Sequence, residues 1–391
     1  MEIRQLRQEE FEASLTLSEY AFQYKVSGEA RESAKQRFRP ERIWGAFEGN
    51  QLEAKFTLLP LEIYVQGEPV RMGGIAGVST WPENRRQGLV ARLLTHALEH
   101  MNREGVTVSC LHPFYVPFYR KFGWEVYCDQ KKYHVPVDKL PVKETVPGRI
   151  VRDVEDVELL DRLYQEYAAA YNGTLRRDKE WWTQSVLEAD EHNVVFFAES
   201  GEPEGYMLYK VEKREFAINE LVYRTEQARR ALWTFVANHD SMIDAVSITF
   251  VPANDILPHL LPDPRGVKQE THPYFMARIV NIQSFAQRLR FAASVSAERW
   301  TIGLADRHAP WNNGTWECRV DEEGRSVWTR LESGGETPKL SCDIGAMTAM
   351  LLGYRRPAEL YRFGILTGDA AAAERMERRV PQAATALFDF F

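Results

Sequence analysis

The residues with the most definite chemistry form the run Arg85-Arg86-Gln87-Gly88-Leu89-Val90-Ala91, between a glycine-bearing apolar stretch at 72–80 (MGGIAGVST) and a helical pattern. The first N–H groups of a helix lack intrahelical partners and carry partial positive charge. Such a start seats an anion. A pyrophosphate there would accept hydrogen bonds from the backbone between Arg86 and Ala91, with the two arginines adding charge and Gly88 leaving the approach clear. Upstream, Gly73, Gly74 and Gly77 interrupt a strand, and glycines so placed mark a bulge or a close approach to the backbone.

Other reactive groups compose no second centre. His96-Ala97-Leu98-Glu99-His100 fits the H-x-x-E-H string of inverted zinc proteases. These histidines fall opposite the Leu89, Leu93 and Leu94 stripe, on what reads as a solvated face, and no acidic ligand motif follows, so no metal is expected. Cys110, Cys128, Cys318 and Cys342 form no C-x-x-C pair and read as reduced thiols. No G-x-S-x-G elbow is present either, so no residue stands in a recognisable nucleophile arrangement.

The elements that must hold the anion seat follow from periodicity. Residues 43–47 (IWGAF), the turn Glu48-Gly49-Asn50 and the run 54–61 read as a hairpin, and a turn at Gln66-Gly67-Glu68-Pro69 leads into 72–80. Leu89, Val90, Leu93, Leu94, Ala97, Leu98 and Met101 repeat at helical spacing. A strand at 106–111, the aromatic turn 114–124 (FYVPFYRKFGW) and a strand at 124–127 complete the unit. A linker-like composition at 138–148 precedes a second copy of this order: 194–198, 205–211, 216–223, a helix through Ala231, Leu232, Phe235 and Val236, then 245–251. Where the first copy has Gly88, the second has Arg224-Thr225-Glu226-Gln227-Ala228-Arg229, with no glycine, so only the first admits a ligand to its backbone. A third, α+β unit follows, and the chain stops at LFDFF, an apolar end expected to be buried.

At 391 residues the chain is long enough for two or three domains. Its 49 basic against 56 acidic residues give −7, and the basic doublets, such as Arg176-Arg177 and Arg378-Arg379, are scattered; both argue against a nucleic-acid partner. The start, MEIRQLRQEEFEASL, has no apolar core of the signal-peptide kind, and no stretch nears the roughly 18 apolar residues of a membrane span. A soluble, cytoplasmic protein is expected.

The stretch 78–94, VSTWPENRRQGLVARLL, resembles the acetyl-CoA signature of the GNAT acetyltransferase superfamily, with its phase fixed by Arg85-x-x-Gly88; Val90 holds the second glycine position and Ala91 is slightly displaced. The duplication, the α+β third unit, the FYRKFGW segment and the terminal phenylalanine are similar to the enhanced intracellular survival (Eis) family. The resemblance implies α/β and α+β architecture: tandem GNAT folds, active (1–140) and degenerate (141–277), then a sterol-carrier-like domain (278–391). It implies acetyl-CoA as cosubstrate without a metal, Val78, Ser79 and Thr80 aligning the pantetheine arm, and Arg85, Arg86, Gln87, Gly88, Leu89, Val90 and Ala91 on the pyrophosphate. Phe114 and Tyr115 occupy further coenzyme positions where a Ser-Glu pair is more usual. Tyr119 falls where the family's general acid stands, and the terminal carboxylate of Phe391 where its base stands. Direct transfer in a ternary complex, amine acceptors such as aminoglycoside-like polyamines or lysine side chains, and a homo-oligomer, often a hexamer, are implied too. The alternative is a lipid or small-molecule binding protein using the third domain.

Overall fold

In the computed structural model, residues 1–261, 263–332 and 336–391 are described. The first sheet is built from β1 (Glu2–Gln5), β2 (Ile43–Glu48), β3 (Gln51–Val65), β4 (Glu68–Thr80), β5 (Val108–Leu111) and β6 (Glu125–Val126). The second takes β7 (Asp129–Pro136), β8 (Arg149–Arg152), β9 (His192–Phe197), β10 (Pro203–Glu212), β11 (Glu215–Tyr223), β12 (Ala245–Val251) and β13 (Lys268–Pro273), while β14 (Met276–Ile279) returns to the first. Their orders, β1-β2-β3-β4-β5-β14-β6 and β8-β9-β10-β11-β12-β7-β13, correspond position by position. The sixth place in each is filled from the other half: β14 lies between β5 and β6, and β7 between β12 and β13. The crossing is tied by Tyr127 N–H donating to Phe275 O (3.1 Å) and Tyr274 N–H to Cys128 O (3.0 Å).

Local chemistry sets these strands. Gln66 and Gly67 both have positive φ (54° and 81°), the twist that a tight β3–β4 hairpin needs. The one parallel step in each of these two sheets is bridged by a helix, Leu89–Arg103 between β4 and β5 and Glu226–Ala237 between β11 and β12. Leu89, Leu93, Leu94, Ala97, Leu98 and Met101 are buried as their spacing predicts, against Ala54, Phe56, Ile75 and Leu111. Gly73 lets Met101 pack close on the strand, since a side chain there would crowd Met101 and Leu58.

The third unit is a sheet ordered β17-β16-β15-β18-β19, from β15 (Glu298–Ala305), β16 (Gly314–Val320), β17 (Ser326–Arg330), β18 (Leu340–Asp343) and β19 (Thr367–Gly368). Its interior is filled by Trp300, Trp316, Trp328, Met347 and Met350. The helix Ile344–Leu352 is buried along its whole length, and Thr348 Oγ1 accepts from Ile279 N–H of β14 (3.0 Å), seating this unit on the first sheet. Arg278, fully buried, donates to both carboxylate oxygens of Asp306 (2.8 and 2.7 Å) and to Phe122 O, joining the third unit to the turn after Tyr119. The last residues cross to the second unit, where Asn172 N–H donates to Ala384 O (2.9 Å) and Ala386 N–H to Asn172 O (3.1 Å).

Candidate active site

The site begins where β4 outruns β5. Their parallel pairing covers Met72/Val108 through Ile75/Leu111 and stops, while β4 continues to Thr80. On the other edge, Lys55 pairs with Ser79 but Thr57 with Ala76, so Phe56 alone spans Gly77 and Val78. This is the bulge expected from the glycines, with Gly77 at φ +58°. From Ala76 to Thr80 the edge that faced β5 therefore has no paired strand beside it, which opens a slot suited to an extended chain with amide groups. Val78 lies in the bulge. Ser79 and Thr80 are buried, and the Thr80 hydroxyl has no hydrogen-bond partner among the described residues.

Past the slot, Gly88 caps the Leu89–Arg103 helix at φ +79°, after Arg86 at +64°. No side chain caps this start and no acid occupies its first turn; the first helical bond is Arg92 N–H to Gly88 O (3.0 Å). A Cβ on Gly88 would meet nothing within 4 Å, so the backbone faces open space. Arg85, Arg86 and Gln87 are exposed around it, Val90 and Ala91 are half-buried, and Leu89 turns its side chain into the core. These groups fit a pyrophosphate.

The second copy is closed at both corresponding places. Thr225 Oγ1 takes the Ala228 N–H (3.1 Å) at the start of the Glu226–Ala237 helix, and Glu226 puts a carboxylate in its first turn, paired with Arg229. Where β11 outruns β12, Tyr133, Tyr223, Trp233, Phe250 and Asp255 leave a cavity of only about 30 Å³.

Tyr119 lies in the short helix Val116–Arg120, 2% exposed. Its carbonyl accepts from Phe122 N–H (2.9 Å) and Trp124 N–H (3.3 Å), folding the chain back at Gly123, whose φ of +85° and contact with Arg278 admit no side chain. Tyr119 shares the helix-side core with Ile75 and Leu111, the last pair before the slot. Burial pushes its phenol above the ordinary range, so it holds its proton at neutral pH. Phe114 packs its ring on Tyr119 (5.3 Å between centroids) yet is 70% exposed, and Tyr115 is exposed beside it.

Phe391 reaches the same strands from the opposite face. Its ring lies 2.9 Å from where a Gly74 Cβ would stand, and 4.8 Å from the Phe275 ring between centroids. Gly74 is the residue opposite Cys110 in the last stretch of β4–β5 pairing. The terminus is anchored two residues earlier: Asp389, buried, accepts from Arg177 Nε (2.9 Å) and Trp181 Nε1 (2.8 Å), and its carbonyl accepts from Tyr274 (3.0 Å). Arg177 is held in turn by both oxygens of Glu220 (2.9 and 2.6 Å). The expected burial of the end holds for Leu387 and Asp389, whereas Phe390 is 62% exposed. The anchoring residues escaped sequence reasoning; Arg177 was visible only as half of a basic doublet.

One expectation changes. His96 and His100 are not on a free polar face: both are half-buried against the Trp44 ring (centroids at 4.5 and 5.0 Å), and burial lowers their basicity. No group of three potential metal ligands occurs among the described residues. The four cysteines are free and buried, and burial pushes each thiol up, Cys128 and Cys342 to about 12, so none presents a thiolate.

A slot at a β4 bulge, an uncapped helix start beyond it and a second copy closed at both places are laid out on a tandem GNAT fold. Models of the GNAT acetyltransferase domain match residues 2–127 and 173–279, and the sterol carrier protein domain matches 282–387. The chain is an acetyltransferase of the GNAT superfamily with the three-unit, Eis-like fold. An uncharacterized N-acetyltransferase of Streptomyces avermitilis is 26% identical over 351 residues, 83% of this chain and 82% of that one. A conserved protein of unknown function from Enterococcus faecalis V583, described as a probable N-acyltransferase, superposes with a TM-score of 0.92 at 28% identity, covering 100% of this chain and 99% of that one. Eis1 from Mycobacterium abscessus has the same fold (TM-score 0.83, 20% identity, 100% of both chains). Among the described residues, no helix is long and apolar enough to cross a membrane.

Proposed function

We propose that the protein transfers an acetyl group from acetyl-CoA directly to an amine in a ternary complex, with Tyr119 as general acid and the terminal carboxylate of Phe391 as general base. The observation that supports this reading is that Tyr119 shares a core with Ile75 and Leu111, the last β4–β5 pair, while the Phe391 ring packs over Gly74 from the other face of the sheet. The coenzyme supplies an activated thioester. Val78, Ser79 and Thr80 align its arm, and Arg85 through Ala91 hold its pyrophosphate, with the sequence-expected Phe114 and Tyr115 at the outer rim. The carboxylate, directly or through a water, takes the proton the amine must lose as its nitrogen bonds to the acetyl carbon. Tyr119 gives its proton to the sulfur as the C–S bond breaks. Each group regains its starting state by exchange with solvent.

The catalytic unit in this reading is 1–140, which lends β7 to the second sheet and takes β14 in exchange, supported by 141–277 and completed by 278–391. We place it in the cytoplasm as a homo-oligomer, of the hexameric kind that the resemblance implies, with no nucleic-acid partner and no metal. Aminoglycoside-like polyamines and lysine side chains belong in the acceptor screen together with amines that carry an acidic group. Release of free thiol from acetyl-CoA dependent on an added amine, with recovery of its N-acetyl product, supports the reading. Thiol release that ignores the amine overturns it.

A further inference from the structure

A cavity of about 290 Å³ opens on the face of the first sheet that carries Phe391. Lys55, Thr57 and Leu59 line it from β3, and their partners on β4 are Ser79, Ala76 and Gly74, the residues of the bulge and of the Phe391 seat. The Thr57 hydroxyl lies 3.6 Å from where a Gly77 side chain would begin. The cavity thus abuts the place where the acetyl group would lie.

Its charge is one-sided. Arg37, Arg39 and Arg42 line it with Lys55, and no acidic residue does. Lys55 is 4% exposed, and its ammonium donates only to neutral oxygens: Ser14 O, Ser14 Oγ and Ser18 Oγ, each at 2.7 Å. None of the four cations has an ion-pair partner among the described residues. A buried ammonium without a counter-charge is costly, and an anion brought to it relieves that cost. The remaining wall is apolar, with Phe11, Leu15 and Phe38. A polyamine would bring like charge against four cations, whereas an acid group would find complementary potential.

Resting on the transfer reading above, we infer that the acceptor is an amine that also carries an anionic group, a carboxylate or a phosphate, and that this group seats in the Lys55 cavity. The test is a set of matched acceptors assayed with acetyl-CoA at equal concentrations of free amine: phenylalanine against phenylalaninamide, phosphoethanolamine against ethanolamine, and spermidine. The anionic member of at least one pair should show kcat/KM tenfold or more above its neutral partner and above spermidine, about one factor of ten for each 1.4 kcal/mol of added interaction. The pair with the larger ratio identifies the acid group. That ratio should fall at least several-fold in Lys55→Met and in Arg42→Gln, the second chosen because Lys55 also ties helix Phe11–Phe22 to β3 and its loss could disturb folding. Neutral or cationic amines acetylated as well as anionic ones, or a ratio unmoved in a folded variant, would overturn the inference while leaving amine transfer standing. Acetylation of no amine at all would remove both.

Discussion

Addition of a single glycine after Phe391 separates the proposed base from everything that places it. The Asp389 anchors to Arg177 and Trp181 and the ring contact over Gly74 all precede the new bond, so they remain. The terminal carboxylate becomes a peptide carbonyl that takes no proton. Loss of a positioned general base costs about 10²- to 10⁴-fold, a barrier increase of about 3–5.5 kcal/mol. Stability should change by no more than about 0.5 kcal/mol, the usual range for a change that breaks no buried contact. Steady-state thiol release should therefore drop by at least about two decades, while the melting temperature and acetyl-CoA affinity stay near their original values. Wild-type turnover in the extended chain would refute the terminal base. Activity lost together with the fold would show that the anchors, rather than the carboxylate, had been disturbed.

Tyr119→Phe removes the proposed proton donor without removing the ring, so turnover should fall by about 10²-fold or more with acetyl-CoA affinity retained, as steady-state kinetics beside calorimetry would show. In Gly74→Ala the new Cβ would stand 2.9 and 3.2 Å from Phe391 ring atoms and 3.1 Å from Leu61, overpacking that costs about 1–3 kcal/mol; Phe391→Leu in the same chain should recover part of that loss in denaturant melts. Burial lowers the Lys55 pKa to about 8, below its unfolded value near 10.4. Between these values the unfolded chain binds more protons, so stability should rise from about pH 8 to 10.5, by up to about 3 kcal/mol. The same deprotonation should raise KM for an anion-bearing acceptor above pH 8. A Lys55→Met chain whose stability follows the same pH course would remove Lys55 as the source.

What the sequence discloses and what it hides divide along a physical line. The helix stripe from Leu89 to Met101, the bulge glycine Gly77 and the uncapped start at Gly88 are local properties of a few consecutive residues, and they stand where the pattern puts them. The contrast with the second copy was legible as the missing glycine, although the cap by Thr225 and the first-turn Glu226 are equally effective in closing that helix start. The exchange of β7 and β14 between sheets was not legible, because a strand's pattern records its two faces and not which edge it joins. Nor was the Arg177–Asp389 pair, 212 residues apart in sequence, nor the placing of Lys55 under Ser14 and Ser18. Burial of such groups depends on tertiary neighbours, and a lone lysine or arginine in a sequence reads as surface. His96 and His100 show the same limit, since the Trp44 ring that covers them comes from another strand.

A calorimetric titration with acetyl-CoA bears most directly on the claim that one of two related copies keeps an open coenzyme site. Wild-type protein should bind one equivalent per chain. Gly88→Val, which places a β-branched residue at φ +79° and fills the approach to the helix start, should bind none while remaining folded. Two equivalents per chain, no heat with the wild-type protein, or undiminished binding by the valine variant would contradict the account.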